Sequence, residues 1–108
     1  MTTVRIWQSE DKTKAFEACG HAGYARRGID IVCSAITTLI TTTINSIEKL
    51  CEEKTDVTVD EKIGMIRCVF KNTPSEKSQL LVDSMILGLK QIQEEYGNKY
   101  IDIIFEEV

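Results

Sequence analysis

The chain has 108 residues, 43% of them hydrophobic and 28% charged, and carries a net charge of -4 with a single histidine. That length suits one domain with one core, spanning 1–108, and leaves no room for a catalytic domain plus a second module. No continuous apolar run approaches the roughly 18 residues of a membrane span, and the acidic balance argues against direct nucleic-acid binding, which needs concentrated Lys and Arg.

The opening "MTTVRIWQSE" has no basic segment leading into an apolar stretch, so the expectation is a cytoplasmic protein whose four cysteines, Cys19, Cys33, Cys51 and Cys68, are thiols. They lie far apart with no C-x-x-C pair, so neither a metal site nor a cofactor is expected.

From Thr3 to Ser9, Val4 and Ile6 alternate with Arg5, and Glu10-Asp11-Lys12 reads as a turn before a second strand, "TKAFEACGH". Period-two alternation in that strand puts Phe16 and Ala18 on one face and Glu17, Cys19 and His21 on the other, with His21 at the strand end. Residues 22 to 29, "AGYARRGI", hold Gly23 and Gly28 without apolar periodicity, the pattern of a mobile connection. Arg26-Arg27, the one locally basic pair, reads as its solvated tip. Asp30 is a good N-cap for a helix whose apolar stripe runs Val32, Ala35, Ile36, Leu39, Ile47 and Leu50. The threonines of "TTLITTTI" lower helix propensity and taken alone resemble strand, but the stripe is longer than most strands.

"VTVDEKIGMIRCVF" reads as a second hairpin, with Val57 and Val59 on its first strand and Ile66, Cys68 and Phe70 facing inward on its second. In "NTPSEKSQLL", Thr73 reads as an N-cap, Pro74 as the first turn and Glu76 as the back-bonding partner three residues on. Leu81, Val82, Met85, Ile86, Leu89 and Ile92 form the buried stripe of this helix, and Gly97 is its stop. The closing strand "KYIDIIFEE" alternates Ile101, Ile103 and Phe105 against Asp102. The order β-β-α-β-β-α-β predicts an α+β fold with both helices on one face of a mostly antiparallel sheet. Leu80 and Leu87 lie off the second stripe, and Ile40 and Ile44 widen the first. Such surplus apolar surface fits either a dimer interface or a wide core helix.

Counting from Asp30 places Cys33 at the third helical position, where unpaired N–H groups and the positive end of the helix dipole favour an anion. A thiolate is the competent nucleophile, and His21 is the available base. Spacing alone leaves other readings open: two metal ligands, or two unrelated residues near a strand end and a helix start. Asp30 is either a helix cap or a third member that orients the histidine. Cys19, Cys51 and Cys68 read as small buried hydrophobes.

"GHA", a short glycine-containing loop and "DIVC" opening a helix together resemble the ribosomal-processing cysteine protease family, Prp. The resemblance extends over essentially the whole chain, although Ser34 stands where the family commonly has alanine. It implies that His21 and Cys33 are the catalytic dyad of an endopeptidase that removes an N-terminal extension from large-subunit ribosomal protein twenty-seven, cleaving after a phenylalanine. It also implies a homodimer. On this view residues 22 to 29 form a substrate loop: Ala22 and Gly23 let a peptide backbone approach, Gly28 closes the loop, and Tyr24 folds over the substrate. Two other function classes remain: a non-catalytic ribosome assembly factor holding a basic ribosomal protein, and a thiol redox sensor in which Cys19 reaches Cys33.

Overall fold

In the computed structural model, which describes residues 1–108, β1 (Thr2–Ser9) and β2 (Lys12–Cys19) pair antiparallel around a turn of only Glu10 and Asp11. Both turn residues have positive φ, 53° and 65°, the mirror-image geometry that follows the right-handed twist of the strands. Lys12 therefore belongs to the strand, not to the turn.

Five strands form one sheet in the order β3-β4-β2-β1-β5, with β3 (Thr55–Asp60), β4 (Met65–Phe70) and β5 (Ile101–Glu107). β5 runs parallel to β1 and the other pairings are antiparallel. Two helices, α1 (Ile31–Lys49) and α2 (Glu76–Tyr96), supply the rest of the core. Val4, Ile6, Phe16, Ala18, Cys68, Phe70 and Ile101 from the sheet cluster with Val32, Ile36, Ile40, Ile44 and Ile47 of α1 and Val82, Met85 and Leu89 of α2. The helices approach closely at Gly88, where a Cβ would fall 2.7 Å from Leu39 Cδ2. On the other face of the sheet, ion pairs join Arg5 to Glu106 and Arg67 to Glu17.

Several details refine or depart from the sequence pattern. Ile40 and Ile44 are core residues of a wide α1 stripe, whereas Leu50 lies at the C-cap and is 78% exposed. α1 is long and apolar enough to cross a membrane by length and composition, yet its stripe is packed into the core. Its threonines are accommodated, Thr43 by donating its hydroxyl to Leu39 O at 2.7 Å. α2 is capped by Ser75, not Thr73. Ser75 Oγ accepts from Ser78 N–H, and Glu76 falls at the first helical position, too early to bond back to the cap. Finally, Cys68 is buried as expected, but Cys19 and Cys51 are only half-buried.

β2 occupies the middle of the sheet. The chain that leaves it at Cys19 must therefore return over the sheet centre to start α1.

Candidate active site

Gly20 N–H donates to the carbonyls of Ile63 and Gly64, both at 3.1 Å, which ties the exit of β2 to the β3–β4 turn. His21 follows as an exposed residue, two positions beyond the strand instead of at its end. Its imidazole lies against Gly64. Ala22 is buried, and from Gly23 to Ile29 the backbone is irregular and exposed.

The irregular segment is nonetheless held at several points. Asp30 Oδ2 accepts from Tyr24 N–H at 2.9 Å and Ala25 N–H at 3.2 Å. Tyr24 packs edge-on against Tyr96 and Tyr100, with centroids 5.5 Å and 5.2 Å away. The mobility expected of an unpatterned loop thus meets a buried carboxylate and an aromatic clasp that oppose it. The ring of Tyr24 faces the end of α2 and the start of β5, and is not part of either cavity wall described below.

Asp30 does two things at once. Its Oδ1 accepts from Val32 N–H at 3.0 Å and Cys33 N–H at 2.9 Å, capping α1, while Oδ2 clasps the loop. Burial by itself would raise its pKa, but the N–H donors of Cys33, Ala25, Tyr24 and Val32 together outweigh it and hold the carboxyl below its ordinary value. No hydrogen bond joins Asp30 to His21. The capping role is the one the geometry displays.

Because Asp30 is the cap, Cys33 is the third residue of α1 and its side chain stands at the helix mouth, half-buried. Cys33 Sγ accepts a hydrogen bond from Ala22 N–H at 3.0 Å. The N–H groups of Val32 and Cys33 are already bound to Asp30, and the donor that reaches the sulfur comes from the residue next to His21. His21 and Cys33 are not hydrogen-bonded to each other, but both line the same two cavities. One, of about 510 Å³, runs between α1 and the β4 side of the sheet and is walled mainly by Ala18, Ile36, Ile40, Val59, Met65 and Ile66. The other, of about 440 Å³, has fewer hydrophobic side chains in its walls and lies along the loop, bounded by Gly23, Ala25, Gly28, Asp30, Ser34 and Thr38. Arg27 and Thr37 also face both. A nucleophile that shares the walls of two adjoining recesses with an imidazole suits an extended chain laid across the two.

The family model for cysteine protease Prp matches residues 1–102. The chain belongs to the Prp family. It is 31% identical over 98 residues to the ribosomal processing cysteine protease Prp of Staphylococcus aureus, covering 90% of this chain and 92% of that protein. Against the enzyme of the same name from Bacillus subtilis it is 30% identical over 101 residues, covering 89% and 90%. The crystal structure of S. aureus Prp with a covalently linked product peptide superposes with a TM-score of 0.91 at 29% identity, covering 98% of this chain and all of that one. The same protease with a substrate peptide gives 0.86 at 28% identity, covering 98% and 100%. The protein is therefore a Prp-type ribosomal-processing cysteine protease with the α+β fold of that family.

The site contains residues that the sequence pattern did not single out. Asp60, Glu61, Gly64 and Met65 join it because the β3–β4 turn folds beside the loop, and Arg27, exposed as expected of the loop tip, also walls both cavities. No local signal marks such tertiary neighbours. Cys19, by contrast, points away from Cys33. Ala18 faces the cavity, so strand alternation turns Cys19 to the opposite face, where its thiol lies 3.9 Å from Ile63 O. That geometry removes the support for a Cys19–Cys33 redox pair.

Proposed function

We propose that the protein is an endopeptidase that removes the N-terminal extension of large-subunit ribosomal protein twenty-seven, with Cys33 as nucleophile and His21 as base. The observation that carries this reading is the sulfur itself, at the junction of the two cavities, receiving the Ala22 N–H and sharing both walls with His21. The apolar cavity suits the aromatic end of the extension.

In this mechanism His21 takes the Cys33 thiol proton and Sγ attacks the scissile carbonyl carbon. The C=O electron pair moves to oxygen, and the Ala22 N–H is placed to follow the charge from sulfur to that oxygen. Collapse of the tetrahedral intermediate breaks the C–N bond, and the imidazolium gives its proton to the departing amine. Water, deprotonated by His21, then hydrolyses the thioester and restores the thiol. Asp30 positions the machinery by fixing both the helix and the loop, and Ala22, Gly23, Tyr24 and Gly28 belong to the substrate loop. The absence of a His21–Cys33 hydrogen bond fits a dyad that closes on substrate. The S. aureus relative bears a covalently linked product peptide, which supports acylation chemistry here.

We further propose that the protein works as a single-domain cytoplasmic homodimer with no metal or cofactor. Leu80 and Leu87, 67% and 60% exposed on α2, support the pairing. Incubation with the extended ribosomal protein followed by intact-mass measurement tests the activity. Loss of the mass of the extension is expected, with none when Cys33→Ala replaces the wild type. Binding without any mass change would favour the assembly-factor reading instead.

A further inference from the structure

The β3–β4 turn, residues 61–64, carries neither member of the dyad, yet it meets the loop in three places. Gly20 N–H bonds to the Ile63 and Gly64 carbonyls, Arg27 Nη2 donates to Glu61 O at 3.4 Å, and the His21 imidazole lies on Gly64. Gly64 has φ of +63°, and a Cβ built on it would fall 2.9 Å from His21 Cε1 and 3.1 Å from Nε2. The ring thus occupies the volume that any other residue's side chain would fill. No hydrogen bond fixes it, since His21 bonds neither to Asp30 nor to Cys33.

We propose that Gly64 is a positioning residue whose bare backbone seats the His21 imidazole beside Cys33. The inference rests on His21 being the base of the reaction. A Cβ at position 64 must tilt or lift the ring, and a small misplacement of a proton-transferring group is costly even when the fold is intact. Two replacements separate the seat from backbone strain. Gly64→Ala adds a Cβ in a left-handed conformation, whereas Gly64→Asn adds one with a side chain that tolerates that conformation. Gly97→Ala is the control: its φ is +105°, and a Cβ there meets nothing within 4 Å.

Both Gly64 variants are expected to lower kcat by about tenfold or more while KM stays within about twofold, and Gly97→Ala to retain wild-type kcat. Iodoacetamide labelling of Cys33 should slow to the rate of His21→Ala, and in a His21→Ala background Gly64→Asn should slow it no further. Wild-type kcat in folded Gly64→Asn would overturn the proposal. So would a labelling effect that persists undiminished when His21 is already absent. Labelling does not require peptide cleavage, so failure to process the ribosomal protein would defeat the proposed function and still leave the Gly64–His21 coupling readable.

Discussion

The two helix N-termini are built alike and used differently. Each has a cap residue, a carboxylate held in its ionised form by backbone donors, and a small nucleophilic side chain at the third helical position. At α2 that residue is Ser78, which is fully buried; its hydroxyl donates to Glu53 Oε1 at 3.0 Å, and Glu53 also accepts from Ser75 N–H at 2.6 Å. At α1 it is Cys33, half-buried between two cavities, with a hydrogen bond from a neighbouring loop and an imidazole on the same walls. A helix dipole and a cap are therefore common property. What differs is that the carboxylate at α2 locks the third residue, whereas Asp30 spends its oxygens on N–H groups and leaves the sulfur facing open space.

The sharpest way to break this comparison is to exchange the consequences of the two third residues. Cys33→Ala should bring cleavage below detection while costing about 1 kcal/mol of stability, because the buried Ala22 N–H loses its acceptor. Ser78→Ala should leave turnover intact while costing about 1–2 kcal/mol as Glu53 loses a buried donor. Turnover assays and denaturant melts on the same preparations check both, and retained cleavage in Cys33→Ala would erase the distinction.

Exchanging the carboxylates sharpens it further. Asp30→Asn keeps one cap oxygen for Val32 and Cys33 but presents an amide to Tyr24 and Ala25, so the loop is released from α1. Turnover is expected to fall about tenfold or more with a stability cost of about 1–2 kcal/mol. Glu53→Gln keeps the accepting oxygen at the α2 end and should cost about 1 kcal/mol with turnover unchanged. Equal loss of turnover in the two variants would mean that Asp30 acts only through global stability.

The smallest expected effect is in the pH dependence of folding. Glu53 is lowered chiefly by the Ser75 N–H, against burial that raises it; at Asp30 burial is the largest single influence and raises the pKa, but the four N–H donors together outweigh it. A carboxylate whose folded pKa lies below its unfolded value contributes stability above the unfolded pKa and loses it as pH falls through the folded one. Both helix ends should therefore weaken together below about pH 4, and melting curves from pH 6 downward should flatten in a double Asp30→Asn, Glu53→Gln variant. An unchanged pH profile would show that these carboxylates are not held as described.

How much of this was legible in the sequence follows from the range of each interaction. Asp30 and Cys33 were readable because capping acts within three residues, and the strand and helix order was readable because apolar periodicity is local. The α2 cap slipped from Thr73 to Ser75 because both residues offer a hydroxyl near Pro74, and a contact from the distant Glu53 accompanies the one used. The parallel pairing of β5 with β1, the Tyr24–Tyr96–Tyr100 clasp and the seating of His21 on Gly64 join residues far apart in the chain, and no spacing rule announces them. His21 could be marked as a candidate because it is the one histidine and stands in "GHA" at the end of a strand pattern; where its ring would rest depended on a glycine some forty residues away.

The most direct test of Cys33 as the reacting sulfur is covalent trapping with a peptidyl chloromethyl ketone ending in phenylalanine, followed by peptide mapping. Cys68 should be spared, since burial pushes its thiol up to about 11, and the half-buried Cys19 and Cys51 line neither cavity. The expected result is a single adduct on Cys33 that forms more slowly in His21→Ala. An adduct spread over the four cysteines, or one formed on Cys33 at the same rate without His21, would contradict a dyad at the mouth of α1.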